Sequence, residues 1–190
     1  AAEISALSLP LIGALSSGDL ASLTTSQVGG ITASQLSSLT SAQLGGLSSS
    51  QIGALTSVAV GGFTAAEIAG LTSAQLRGLT SVQMGALSKV AVGGFLQIAG
   101  LNSAQIGAIS VSAVSGLTSG GLAALTTAQA PGFTSGQVAA LTTSQIVILN
   151  SAQIGALSSS GVQGLSAADI SALTTAQFRG LGASQIGALT

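Results

Sequence analysis

The chain has 190 residues, of which 4% are charged and 2% aromatic, and its net charge is −1. It contains no His or Cys, so the commonest general base, the thiol nucleophile and most metal ligands are missing. We therefore expect no catalytic, cofactor or metal site and no enzymatic activity. With only three Lys and Arg residues there is no basic patch, and we expect no nucleic-acid binding. Ser, Thr or Gln interrupts every apolar stretch, so we expect no transmembrane segment.

An eight-residue period runs along the whole chain. A large apolar anchor, always Leu, Ile or Phe, recurs every eight residues from Leu7 to Phe95 and again from Leu101 to Leu189. Between the two runs, the unit 95–100 is two residues shorter than the others. We number the anchor slot 1 of an octad with the consensus L-T-S-A-Q-I-G-A. Residues 1–190 are thus predicted to form a single array of about 24 octads.

A second apolar position, slot 6, lies three residues before each anchor, from Ile4 to Ile186, and only Ala130 is small there. In a continuous helix, eight residues turn through roughly 800°, so the apolar stripe would rotate around the helix within a few octads. In a continuous strand, slots 1 and 6 would face opposite sides. The backbone must therefore bend once in each octad.

Polar residues indicate where the bend lies. Slot 2 is Ser, Thr or Asn in every octad except at Leu96 and Gly182, and these are preferred helix N-caps, as is Gly. Three residues later, slot 5 is Gln in fourteen octads and holds all four acidic residues. This is the capping box, in which each side chain bonds the other residue's free backbone N–H. The sequence predicts an all-α solenoid of very short capped helices, one per octad.

In chain order, the first complete octad predicts a cap at Ser8 and a helix over 9–14. The same assignment repeats to the cap at Gly182 and a helix over 183–188. Pro10 falls in a permitted first turn, whereas Pro131 in slot 7 fits a helix poorly. Gly at slots 7 and 8 is suited to a left-handed helix end or to close approach of neighbouring backbones. A β-solenoid is the alternative, because Val and Ile dominate slot 6 and Ser and Thr are plentiful.

A longer period lies within the array. Most octads without Gln in slot 5 occur in pairs that begin at anchors Leu7, Leu55, Ile109 and Leu157, which indicates a looser superrepeat of six octads, or 48 residues. We expect six octads to complete a whole number of solenoid turns, either two turns of three or one turn of six. Ala1 occupies slot 3 and Thr190 slot 2, so a second copy would continue the register. Solenoid ends that lack polar capping units favour head-to-tail association or a longer parent chain.

The few reactive side chains have structural interpretations. Glu67 and Asp169 lie in the capping slot, and no partner base is available for acid–base chemistry. We expect Arg77, Lys89 and Arg179 to be solvated surface charges, and Met84 in slot 6 to be buried. The glycine-rich VAVGGF at 58–63 and 90–95 lacks the Lys of a phosphate-binding loop, and we assign it to ordinary octad positions. No Ser can be activated by His.

The runs LTTAQ, LTTSQI and LSAADISALTTAQ resemble the octad arrays of large bacterial surface or secreted repeat proteins. The resemblance covers the whole chain and implies an extracellular or cell-surface location, a scaffold role and no site residues. The sequence therefore predicts a structural subunit of an extracellular filament, tube or stalk that self-assembles through stacked apolar repeats. The alternative is a surface-binding or adhesin-type module whose Ser and Thr rows contact ice or carbohydrate. The expected partners are further copies of the chain, head-to-tail and lateral.

Overall fold

The computed structural model describes residues 2–96 and 98–189, and this part of the chain is an all-α solenoid. Each octad forms one short helix within slots 3 to 8, most beginning at slot 3 and ending between slots 6 and 8, and the described residues contain no β-strand. The predicted fold class is confirmed, and the β-solenoid alternative is wrong. Two of the 24 helices are 3₁₀ rather than α. One is Ile98–Gly100 in the shortened unit, and the other is Ala130–Gly132, where Pro131 lacks the N–H that an α-helix would use.

Three octads make one turn of the solenoid. Helices three apart in the chain pack on each other, as α7 does on α10 and α18 on α21. Six octads are therefore two turns of three, not one turn of six. The array forms a three-sided prism of eight turns.

The three sides are named A, B and C. Side A contains α1 Ala2–Ser5, α4 Thr25–Val28, α7 Ser49–Ala54, α10 Ser73–Gly78, the 3₁₀ helix Ile98–Gly100, α15 Ser119–Ala123, α17 Thr143–Ile146 and α20 Ala167–Ala172. Side B contains α2 Leu9–Gly13, α5 Ala33–Leu36, α8 Ser57–Val60, α11 Ser81–Ala86, α13 Ser103–Ala108, the 3₁₀ helix Ala130–Gly132, α18 Ser151–Ala156 and α21 Thr175–Gly180. Side C contains α3 Ser17–Ser22, α6 Ser41–Gly45, α9 Ala65–Gly70, α12 Lys89–Val92, α14 Val111–Val114, α16 Ser135–Ala140, α19 Ser159–Val162 and α22 Ala183–Ala188.

Each corner of the prism consists of the anchor and the N-cap that follows it. Leu71 has φ −73° and ψ 137°, and Thr72 has φ −70° and ψ 159°, so two extended residues link α9 to α10. The anchor N–H closes the preceding helix by bonding the slot 6 carbonyl, as Leu71 does to Ile68 at 3.2 Å. No residue in the described part of the chain has a positive φ. The expected left-handed glycine at the helix end is therefore wrong, because the extended anchor already ends each helix.

The core is one column of apolar side chains inside the prism. Slot 6 side chains from Ile4 to Val162 are buried, and so are the anchors from Ile31 to Leu165. Met84 is 0% exposed, which confirms its expected core position. In the last turn the slot 6 side chains Phe178 and Ile186 are 43% and 46% exposed. Slot 6 therefore depends on the following turn to cover it.

Glycines at slots 7 and 8 allow the turns to approach closely, as expected. A Cβ on Gly78 would collide with the backbone of Ser49 in the preceding turn. A Cβ on Gly53 would lie 2.7 Å from the carbonyl oxygen of Gly78 in the following turn. Such contacts are closer than real side chains allow, so only Gly fits these positions.

Candidate functional site: glutamine ladders at the corners

The most regular polar feature of the structure is a buried Gln at the corners of the prism. Gln83 illustrates the arrangement at the start of α11. Its Oε1 accepts the backbone N–H of the N-cap Thr80 at 2.7 Å, which is the local half of a capping box. Its Nε2 donates to the carbonyl oxygens of Ile52 at 3.0 Å and Leu55 at 2.6 Å, in the turn below. One amide thus caps its own helix and binds the preceding turn.

The Ile52 carbonyl already accepts the N–H of Leu55, whereas the Leu55 carbonyl depends on the amide of Gln83. Ile52 is in the last turn of α7, and Leu55 is the anchor that follows α7. The last carbonyls of a helix have no partner within that helix, and buried ones require another donor. The amide of Gln83 supplies it for Leu55. The same side chain therefore satisfies the N-terminus of one helix and the C-terminus of another.

This bonding pattern repeats along all three corners, and we call each row of amides a glutamine ladder. The residues whose Nε2 donates to carbonyls of the preceding turn are Gln35, Gln43, Gln51, Gln75, Gln83, Gln105, Gln129, Gln137, Gln145, Gln153, Gln177 and Gln185. Most of them are almost fully buried, for example Gln137 at 1% exposure. The ladders are a recurring polar connection between turns, interrupted where slot 5 is not Gln, as at Ala59, Ala91 and Gly121.

The ladder continues across the two-residue deletion. Gln105 follows the shortened unit in the chain, and its Nε2 still donates to the carbonyl oxygens of Leu76 and Leu79 at 2.9 and 2.7 Å. The 3₁₀ helix Ile98–Gly100 spans one side of the prism with fewer residues. Gln97 lies outside the described residues. Leu96, which replaces the usual N-cap of this unit, is 66% exposed.

The predicted capping boxes are confirmed. Every α-helix preceded by Ser, Thr or Asn at slot 2 and containing Gln, Glu or Asp at slot 5 forms both bonds of the box. Sequence reasoning missed the second function of the Gln side chain. The signal was available, because a capping box works equally well with Glu, whereas slot 5 prefers Gln strongly. Only the amide has protons to donate.

The acidic side chains still accept the hydrogen bonds of the cap, but they have no N–H group to donate to the preceding turn. Glu67 is 5% exposed and accepts the N–H and the hydroxyl of Thr64 at 2.6 and 2.9 Å. Asp169 accepts the Ser166 N–H at 2.9 Å and, across the turns, the Thr143 hydroxyl at 2.7 Å. At Asp169 the bond between turns therefore runs in the opposite direction, from a hydroxyl to the carboxylate.

Hydrogen bonds lower the pKa of two aspartates. Burial raises the pKa of Asp169, but bonds from the Ser166 and Thr143 hydroxyls and from the Ser166 N–H outweigh burial, so its pKa lies below the ordinary value. The pKa of the exposed Asp19 is also lowered, by the hydroxyl and the N–H of Ser16. Both shifts follow from hydrogen bonds to the carboxylate, which favour its charged form.

The cations differ from one another. Lys89 and Arg179 are exposed, as expected for surface charges. Arg77 is exposed as well, as expected, and its Nε also donates to the carbonyl of Gly100 at 3.1 Å. Gly100 ends the shortened unit, and Arg77 lies one turn below it. The Arg77 side chain therefore links α10 to the shortened unit in the next turn.

The remaining candidates are structural. Residues 58–63 of VAVGGF span the end of α8 and the corner that follows, with Phe63 buried. Beside Arg77 an open groove is lined by Ser49, Ser50 and Ala74. No three acidic side chains meet at one place among the described residues. The described helices are all too short to cross a bilayer.

Comparison with known proteins gives one match. A family model described as the ALTTAQ repeat matches residues 12–49, 133–167 and 162–190, which together are just over half of the chain. No curated protein and no solved structure matches.

Proposed function

Because the chain belongs to the ALTTAQ repeat family, we propose that it is a structural segment of an extracellular filament, tube or stalk. The proposed role is mechanical rather than catalytic. The resemblance to bacterial surface and secreted repeat arrays supports an extracellular or cell-surface location. A chain without Cys also suits an oxidising compartment, since it has no thiols to protect.

The glutamine ladders are the observation that carries the proposal. Each additional turn uses the same three corners and the same two apolar slots, so the prism grows in length without changing its cross-section. The Gln137 amide donates to the carbonyls of Ile106 and Ile109, just as the Gln83 amide donates to those of Ile52 and Leu55. Solenoids of this kind are quasi-one-dimensional, with each unit stabilised by its neighbours. Eight turns of helices packed at 8–10 Å give a rod of about 70 Å.

Self-association in line with the rod axis is part of the proposal. Phe178 and Ile186 are exposed in the last turn, whereas slot 6 from Ile4 to Val162 is at most 8% exposed. A further turn of the same octads would cover these side chains and provide amides for the carbonyls of the last turn. Such a turn can come from another copy of the chain or from additional repeats.

The alternative is a module that binds ice or carbohydrate through rows of hydroxyls. Most slot 2 hydroxyls are poorly suited to this function because they are already engaged in caps. Thr72 Oγ1 donates to Gln75 Oε1 at 3.0 Å and accepts the Gln75 N–H at 3.3 Å. A hydroxyl that already donates one hydrogen bond and accepts another within the cap has little capacity left to bind ice or carbohydrate. The rod function is therefore favoured.

Small-angle scattering and electron microscopy test the rod function. We expect the chain to scatter as a rod, and a tandem duplicate of residues 1–190 to double in length at unchanged cross-section. A compact particle, or a duplicate that becomes wider instead of longer, would contradict the proposal. Immunogold labelling of intact source cells tests the location, because a purely internal label excludes an extracellular role.

A further inference from the structure

The three sides of the prism differ in charge. Side A carries Arg77 and side C carries Lys89, both near the middle of the rod. Side B has no charged residue from Leu9 to Ala176, and its single charge is Arg179 in α21. Charged residues are depleted at the centres of protein interfaces. Side B is therefore the side best suited to contact another protein.

Side B also exposes apolar side chains in register. Val58 and Val82 occupy slot 4 in consecutive turns and are 78% and 72% exposed. Slot 4 continues along this side with exposed alanines, which are Ala104, Ala128, Ala152 and Ala176. Side C exposes Val90 and Val111 as well, but Lys89 directly precedes Val90. Among the described residues, only side B combines a long apolar column with a single charge, which lies in its last helix.

The relief of side B is self-complementary. Slot 7 on this side is mostly Gly, as in Gly61, Gly85 and Gly155. Because Gly has no side chain, the slot 7 residues form a groove beside the projecting side chains of slot 4. The two columns are about 4.5 Å apart, because slots 4 and 7 are three residues apart in a helix. A two-fold axis parallel to the rod places the slot 4 column of each copy over the slot 7 column of the other. An antiparallel pair would place the slot 4 columns over each other.

The available area is sufficient for a stable pair. The accessible surface is 7,887 Å², and one side of three, after allowance for the ends, is roughly 2,000 Å², compared with about 800 Å² per partner in a typical stable interface. We propose that side B is the surface through which two copies of this chain pair laterally, with their axes parallel. The inference rests on the proposed rod form, since only an extended prism presents a long flat side.

Sedimentation velocity with charge-insertion variants tests the surface. We expect concentration-dependent dimers of the natural chain, and V58K/V82K to raise the dimer Kd more than ~10-fold. V90K is the matched control, because Val90 occupies the same slot at 70% exposure on side C. We expect V90K to change Kd less than ~3-fold. Equal weakening by V90K, or a natural chain that stays monomeric at all concentrations, overturns the proposal.

Cross-linking tests the orientation, and the natural chain contains no Cys to interfere. Ser34 and Ser37 are exposed residues at slots 4 and 7 of one side B octad. We expect S34C mixed with S37C to form disulfide dimers faster than S34C alone. Faster linking of S34C to itself overturns the parallel pairing. Scattering of the monomeric V58K/V82K variant separates the two proposals, because a rod that does not pair leaves the rod function intact.

Discussion

The side-chain amide of Gln83 donates to the carbonyl of Leu55 at 2.6 Å, joining residues that are 28 apart in the chain but adjacent along a corner of the prism. The same amide accepts the N–H of Thr80 at 2.7 Å. Because the Gln83 side chain at slot 5 both accepts and donates a hydrogen bond, this position requires an amide. A carboxylate can replace the acceptor but cannot replace the donor.

Gln83→Glu should lower the free energy of unfolding by about 2 kcal/mol, because it removes two hydrogen bonds between turns and leaves the Leu55 carbonyl without a donor beside a carboxylate. Chemical denaturation measures the change. Gln27→Glu is the matched control, since the bonds of Gln27 with Thr24 are those of a cap alone. It should change the stability by less than ~0.5 kcal/mol. Equal losses in the two variants would show that the bond between turns adds nothing.

Glu67→Gln should have the opposite effect. By the ladder register, an amide at position 67 would donate to the carbonyls of Leu36 and Leu39 while still capping at Thr64. We expect a gain of about 1 kcal/mol in the free energy of unfolding, the typical value of one added hydrogen bond. Glu3→Gln serves as a control, because Glu3 is exposed in the first turn of the prism. A destabilised Glu67→Gln would contradict the ladder register.

Two glycine substitutions separate close approach from helix propensity. Gly78→Ala places a methyl group against the Ser49 backbone and should destabilise the fold by about 2 kcal/mol or more. Gly45→Ala meets no atom within 4 Å and should stabilise the fold by about 0.5–1 kcal/mol, because Ala favours a helix. Thermal unfolding of both variants checks the signs. A neutral Gly78→Ala would refute the tight stacking of α10 on α7.

The lowered pKa of Asp169 predicts a pH dependence of stability. An aspartate in the unfolded chain titrates near a pKa of about 3.9, and the folded pKa is lower. The stabilisation by the charged Asp169 is thus fully present above the unfolded pKa, and it is lost as the pH falls through the folded pKa. We expect the melting temperature of Asp169→Asn to fall less steeply than that of the natural chain below about pH 4. Parallel curves would show that Asp169 is not coupled to folding.

Several features of the array become clear only from the stacking of turns. Slot 5 is Gly at positions 121 and 161, which looks like drift in the sequence. In the structure, Cβ atoms there would lie 3.1 Å from the carbonyl oxygen of Phe95 and 2.8 Å from that of Phe133. A Gln side chain does not fit without movement of the corner below. The bond from Arg77 to Gly100 was likewise invisible, because it joins positions in different turns.

The sequence by itself determined one capped helix per octad, because the bonds that start and end each helix join residues only three positions apart. Ser or Thr at slot 2 with Gln at slot 5, and an apolar anchor after slot 8, act within one octad. The tertiary structure alone decided that three octads complete a turn and that the Gln amides bind the turn below. Those partners are about 28 residues away, and their approach depends on how helices and small residues pack around the shared apolar core.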